Sequence, residues 1–171
     1  MSLAVSEVAQ VANRAVIADG LLGVGPIDPA LQRARDEAAA NLGYAGQIGP
    51  EDAWRLVANG HAVLVDVRTA EERAFVGYVP NSLHVAWMTG TALVLNPHFV
   101  SELENKVEKS AVILFLCRSG KRSAAAAETA SKAGFANVFN VLEGFEGDLD
   151  EQQRRGSFNG WRYRGLPWVQ Y

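Results

Sequence analysis

Apolar and polar positions follow two different rhythms along this chain. Through residues 4–18, Val5, Val8, Val11, Ala12, Ala15 and Val16 recur at helical spacing, and three glycines and a proline in residues 20–26 then break the pattern. Asp28 is placed to cap a second helix with Pro29 at its first position; the spacing predicts it to run through Ala40 and stop near Gly43. Residues 1–45 thus read as a helical N-terminal extension, which either packs back onto the remaining chain or serves as a partner helix. From Ile48 the rhythm changes to strands alternating with helices. Residues 62–67 and 111–116 are continuous apolar runs of strand length, the pattern of parallel strands covered on both faces. Shorter strands are expected at 83–87 and 137–142. Helices are expected from Gly49-Pro50 through Ala58, over 70–75 behind a Thr69 cap, from Asn96-Pro97 to Val107, and over 123–133. The last contains four consecutive alanines, a Glu128–Lys132 pair and Gly134 as its stop. This alternation predicts an α/β fold with a mainly parallel sheet flanked by helices.

Composition narrows the classes. With 171 residues, 49% hydrophobic and 20% charged, the chain is an ordinary globular one of single-domain size. The formal net charge of −3 gives no reason to expect nucleic acid or an anionic membrane as partner. The N-terminus lacks a basic segment followed by an uninterrupted apolar one, and no run of about 18 apolar residues is present to span a bilayer, so the expected location is the cytoplasm. There is one cysteine, Cys117, which excludes an intramolecular disulfide, a multi-cysteine zinc site and an internal redox pair. His61, His84 and His98 are spaced without a metal-ligand pattern, and neither metal nor cofactor is expected. Gly23-x-Gly25 follows no strand and is met at once by Pro26, so it does not read as a dinucleotide loop.

The charge changes sign at the cysteine. Residues 1–116 carry 8 basic and 13 acidic side chains, and residues 117–171 carry 8 basic and 6 acidic. Cys117-Arg118-Ser119-Gly120-Lys121-Arg122-Ser123 lies between a buried strand and a helix N-terminus, the place where open α/β sheets put their ligands. Successive N–H groups of such a loop, with the positive end of the helix dipole, converge on an anion. Gly120 lets the backbone turn, and Arg118, Lys121 and Arg122 add positive potential that favours a thiolate on Cys117.

The order Cys-Arg-x-Gly-x-Arg resembles the active loop of the rhodanese-like sulfurtransferases. Val65-Asp66-Val67-Arg68 is similar to that family's Asp-Val-Arg strand end, with Glu71 or Glu72 as its acidic follower. Gly77-Tyr78-Val79-Pro80 is similar to its Gly-His-Ile-Pro turn. Val141 to Phe145, and Trp161 with Gly165 to Trp168, resemble its closing segment. The likeness spans about residues 46–169; Tyr78 and Asn81-Ser82 depart from it. It implies a rhodanese-like three-layer domain over 46–171. It also implies a transferase in which the Cys117 thiolate takes a sulfane sulfur from thiosulfate or a similar donor and holds it as a persulfide. An external thiol, a protein acceptor or cyanide then removes it. Arg118, Ser119, Gly120, Lys121, Arg122 and Ser123 would bind substrate, with Arg122 receiving the donor's anionic end. Asp66 and Arg68 would support the site as an ion pair or cap network, and Glu71 and Glu72 read as ordinary first-turn acids.

Two other classes remain: a sulfur-carrying or regulatory binding module without turnover, and a cysteine-dependent phosphatase. A Cys-x5-Arg phosphatase loop would place its arginine at residue 123, which is Ser123, and Arg122 closes a smaller ring. A Walker A loop fails because Lys121 is followed by Arg122.

Overall fold

The computed structural model describes residues 26–171. The helix expected over 4–18 and the glycine-rich break at 20–25 lie outside the described residues. Helix α1 (Pro29–Asp36) starts where Asp28 Oδ1 accepts the Ala30 N–H at 2.9 Å, and it buries Ala30, Leu31 and Ala34. It ends short of the expected Ala40. The alanines beyond Glu37 are good helix formers but bury no apolar face, and packing rather than propensity sustains a short helix. The chain then turns into β1 (Gly46–Ile48), where Gly46 lies so close beneath α1 that a Cβ would overlap the Ala34 carbonyl.

Helix α2 (Pro50–Ala58) leads into β2 (Val63–Asp66), and α3 (Ala70–Val76) follows. A capping box opens α3: Thr69 Oγ1 accepts the Glu72 N–H at 3.2 Å, and Glu72 Oε2 accepts the Thr69 N–H at 3.0 Å. Strand β3 is regular only at Leu83–His84, although the Val85 and Trp87 N–H groups still bond to the Asp66 and Val67 carbonyls. An antiparallel hairpin of β4 (Met88–Thr89) and β5 (Val94–Leu95) follows, which the sequence pattern does not announce. The helix expected over 96–107 is α4 (Phe99–Glu104), preceded by an Asn96 side-chain turn that accepts the His98 N–H. Then come β6 (Ile113–Leu116), α5 (Lys121–Lys132) and β7 (Val138–Val141).

The five-stranded sheet has the order β1-β7-β6-β2-β3, and every pairing in it is parallel. Alternate residues of each apolar run face opposite layers. Val63, Val65, Ile113, Phe115, Cys117 and Val138 pack with Phe99, Leu103 and the alanines of α5. Leu64, Leu114, Leu116, Phe139 and Val141 pack with α1, α2, Phe145 and Trp161. The central strand β6 therefore delivers residue 117 to the C-terminal edge of the sheet, directly beneath α5. The tail is tied back by a two-way backbone pairing of Tyr78 with Val169 at 2.9 Å and by Trp161 Nε1–H, which donates to the Pro167 carbonyl. Among the described residues no helix is long and apolar enough to cross a membrane.

Candidate active site

Cys117 is 1% exposed and lines a cavity of about 510 Å³. Gly120, at φ 96°, turns the loop so that its N–H points back and donates to Cys117 Sγ at 3.1 Å. A side chain strains at that φ, which accounts for glycine here. The same turn starts α5 two residues earlier than the sequence pattern suggests, so the helix N-terminus opens on the sulfur. Ser123 Oγ also lies 3.1 Å from Sγ, on the buried side. The cavity is lined by the cations Arg118, Lys121, Arg122 and Arg155, by the apolar Met88, Leu93 and Leu149, and by Ser119 and Asp148. The apolar side chains come from the β4–β5 hairpin and the loop after β7. Leu93 sits at φ 54°, a strained conformation that turns a 40% exposed leucine to the cavity rim.

Arg122 is held differently from the expectation that it waits for an anion. Its guanidinium makes two hydrogen bonds to Glu72, at 2.8 and 2.6 Å, with both side chains mostly covered. Glu72 is pushed up by burial but pulled lower overall by Arg122 and the Thr69 N–H, and its carboxyl stays below the usual range. The Glu72 hydrogen bonds in turn push the Arg122 guanidinium up.

Asp66 and Arg68 form a fully buried pair, Nη2 to Oδ2 at 2.8 Å and Nε to Oδ1 at 3.0 Å. Arg73 adds a second cation on Asp66 at 2.9 Å, and Arg68 also donates to the Gly77 carbonyl at 2.7 Å. Burial raises the Asp66 pKa, but the charges and hydrogen bonds of Arg68 and Arg73 outweigh it and hold the carboxyl below its ordinary value. The Arg68 guanidinium stacks 4.1 Å from the centre of the Phe145 ring, and the Phe145 N–H donates to the Cys117 carbonyl at 2.8 Å. The buried pair thereby braces the backbone of the cysteine itself. Gly144, at φ 68°, brings the same turn so close that a Cβ would collide with the Arg118 carbonyl group and the Ser119 nitrogen.

Among the residues singled out from sequence, Cys117, Arg118, Ser119, Lys121 and Arg122 line the cavity. Gly120 and Ser123 are buried behind the sulfur, and Asp66 and Arg68 lie in the layer below. Three further residues take part outside the predicted site set. Glu72 passes for a routine first-turn acid. Arg155 belongs to a tail whose arginines read as a solvated or packed segment, with shaping a donor pocket or a partner surface as the alternative. Asn140 is a polar residue inside an apolar strand, a signal that a buried amide must find partners. Its Nδ2–H donates to the Gly120 carbonyl at 3.1 Å, and its Oδ1 accepts from Ser123 Oγ at 2.6 Å.

Comparison with known proteins relates the sequence and fold of the chain to others. A family model described as the rhodanese-like domain matches residues 49–151. The uncharacterized protein RP600 homolog of Rickettsia rickettsii is 37% identical over 118 residues, covering 66% of this chain and 87% of that protein. Thiosulfate sulfurtransferase GlpE of Actinobacillus succinogenes is 26% identical over 121 residues, covering 71% of this chain and 87% of its own. The crystal structure of Rv0390 from M. tuberculosis superposes with a TM-score of 0.68 at 43% identity, covering 75% of this chain and 99% of that one.

Proposed function

The chain belongs to the rhodanese-like domain family, and on that premise we propose that it is a sulfurtransferase that carries a sulfane sulfur as a persulfide on Cys117. The observation that carries the reading is the setting of the sulfur. Cys117 lines a cavity together with Arg118, Lys121, Arg122 and Arg155, and its sulfur has the Gly120 N–H and the Ser123 hydroxyl each 3.1 Å away.

The reaction has two displacements. The Cys117 thiolate attacks the outer sulfur of thiosulfate, or of a donor like it. The new Sγ–S bond forms as the donor's S–S bond breaks, and sulfite leaves with the bonding pair. An external thiolate, from a small molecule or a protein, then attacks the terminal sulfur of the persulfide and returns Cys117 to its thiolate. Cyanide can serve in the same step and leaves as thiocyanate. The loop N–H groups and the α5 dipole stabilise the anionic sulfur at both stages, and no proton-transfer partner is required. Arg118, Lys121 and Arg155 supply the potential that draws in a dianionic donor, with Arg122 available to the extent that Glu72 releases it. With one cysteine in the chain, the persulfide cannot be resolved internally, so the acceptor is a separate molecule. The same count accords with a reducing, cytoplasmic setting.

Thiocyanate formation from thiosulfate and cyanide tests the reading. Turnover is expected in the native chain and none in Cys117→Ser, and thiosulfate alone should add the mass of one sulfur atom to the native chain only. Absence of both in folded protein overturns it. Mass addition without turnover would instead point to a sulfur carrier.

A further inference from the structure

Asn140 has no part in the two displacements, yet its amide meets the nucleophile's loop from behind. It is 2% exposed on the face of β7 that looks toward α5. Four contacts form a ring: Gly120 N–H to Cys117 Sγ at 3.1 Å, Asn140 Nδ2–H to Gly120 O at 3.1 Å, Ser123 Oγ to Asn140 Oδ1 at 2.6 Å, and Ser123 Oγ to Cys117 Sγ at 3.1 Å; the Tyr44 hydroxyl also faces the Asn140 amide, and Arg118, Lys121 and Arg122 line the cavity with Cys117. The amide's orientation is dictated by its neighbours. Turned over, Oδ1 would face the Gly120 carbonyl and two acceptors would meet.

With the amide so fixed, the ring has a proton-counting consequence. Ser123 has one hydroxyl hydrogen and two neighbours able to take it. While Sγ carries a proton, the consistent arrangement is Sγ–H to Ser123 Oγ and Ser123 O–H to Asn140 Oδ1. When Sγ is a thiolate, the hydroxyl can turn to it and away from Asn140. When Sγ becomes the inner sulfur of a persulfide, the negative charge has moved one atom outward and the hydroxyl returns to the amide.

We propose that Asn140 is a positioning residue for Cys117: it aims the Gly120 N–H at the sulfur and, through Ser123, lends or withdraws a second hydrogen bond according to the charge on Sγ. The proposal builds on Cys117 as the nucleophile but needs no sulfur transfer for its test.

The measurement is the pH profile of Cys117 alkylation by iodoacetamide, taken alongside thermal unfolding. In Asn140→Ala and in Ser123→Ala the half-maximal alkylation rate should move to higher pH by about one unit, the size expected for losing a hydrogen bond to a charged group. Ser123→Thr, which keeps the hydroxyl, should restore the native profile. The double variant Ser123→Ala/Asn140→Ala should shift by less than the sum of the two, because one residue acts through the other. Native profiles in Asn140→Ala and Ser123→Ala, with lowered melting temperatures, would overturn the proposal and leave Asn140 a core hydrogen bond only. If Asn140→Ala does not fold, Ser123→Ala, which deletes a single atom, decides on the same criterion. A chain that alkylates as described but makes no thiocyanate would refute sulfurtransferase activity and leave this inference standing.

Discussion

Arg122 and Glu72, fifty residues apart, close a two-point ion pair at 2.6 and 2.8 Å at the cavity that Cys117 lines. One guanidinium therefore belongs both to the wall of the cavity and to the N-terminal turn of α3. Glu72 also completes the Thr69 capping box, so Glu72→Gln removes the charge while keeping an acceptor for the Thr69 N–H. That variant should lose about 1–3 kcal/mol of stability, as for a charge-assisted hydrogen bond in a mostly covered site. It should also lower the KM for thiosulfate several-fold, because the released Arg122 can turn to the donor. Arg122→Ala should raise that KM, and the double variant should behave like Arg122→Ala. An unchanged KM in Glu72→Gln would make Arg122 a structural residue.

The depressed carboxylates set the acid limit of stability. Burial pushes Asp66, Glu72 and Glu143 up, but their arginine partners and hydrogen bonds leave all three below their ordinary values of 3.8, 4.5 and 4.5. The Arg55 hydrogen bonds take Asp28 down to about 2. A folded-state pKa below the unfolded value means that the unfolded chain takes up protons first as the pH falls. The stabilisation is therefore complete above about pH 5, declines from there, and is lost as each folded-state pKa is passed, for Asp28 near 2. Urea unfolding should give a flat midpoint from pH 7 to about 5 and a steady fall below. Asp28→Asn, which keeps the α1 cap but not the charge, should lose part of that slope.

Gly144→Ala should impair activity more than stability. The left-handed backbone alone costs about 1–2 kcal/mol with a side chain. The added methyl group also meets the backbone of Arg118 and Ser119, next to the nucleophile, and the relief of that clash moves the cysteine loop. Thiocyanate formation should fall roughly tenfold or more, since small misplacements of reacting atoms are costly. Gly90→Ala, also at positive φ but with open space around its Cβ, is the control and should retain activity.

The layers were readable from the chain because their causes are local. Continuous apolar strands such as 111–116 signal two covered faces, and Asp28 and Thr69 mark where helices begin. The cysteine loop was readable for the same reason, since its residues are consecutive. The tertiary partners were not. Glu72 meets Arg122 across fifty residues of chain, and Asn140 reaches Gly120 only because β7 lies beside β6. Neither pairing leaves a spacing that a single sequence displays. The β4–β5 hairpin was hidden because its strands have two residues each and its turn carries Leu93 at positive φ, against the usual preference for glycine or asparagine.

Recognition of the donor should fall on Arg155 together with the loop cations. Arg155 reaches the cavity from the tail, and Nη1–H donates to the Gly147 carbonyl at 2.8 Å, which fixes the guanidinium at the rim without neutralising it. Lys121 is exposed and lines the same cavity. A dianion such as thiosulfate gains twice the Coulomb energy of a monoanion from each of these charges, at a strength that salt screens. Arg155→Ala and Lys121→Ala should each raise the KM for thiosulfate by roughly three- to tenfold with kcat little changed, as befits charges that act in binding. The cyanide KM should rise less, and the native chain's thiosulfate KM should climb with ionic strength more steeply than that of either variant. A fall in kcat at constant KM would instead place these side chains in the displacement step, and equal effects on the two anions would remove charge as the basis of selection.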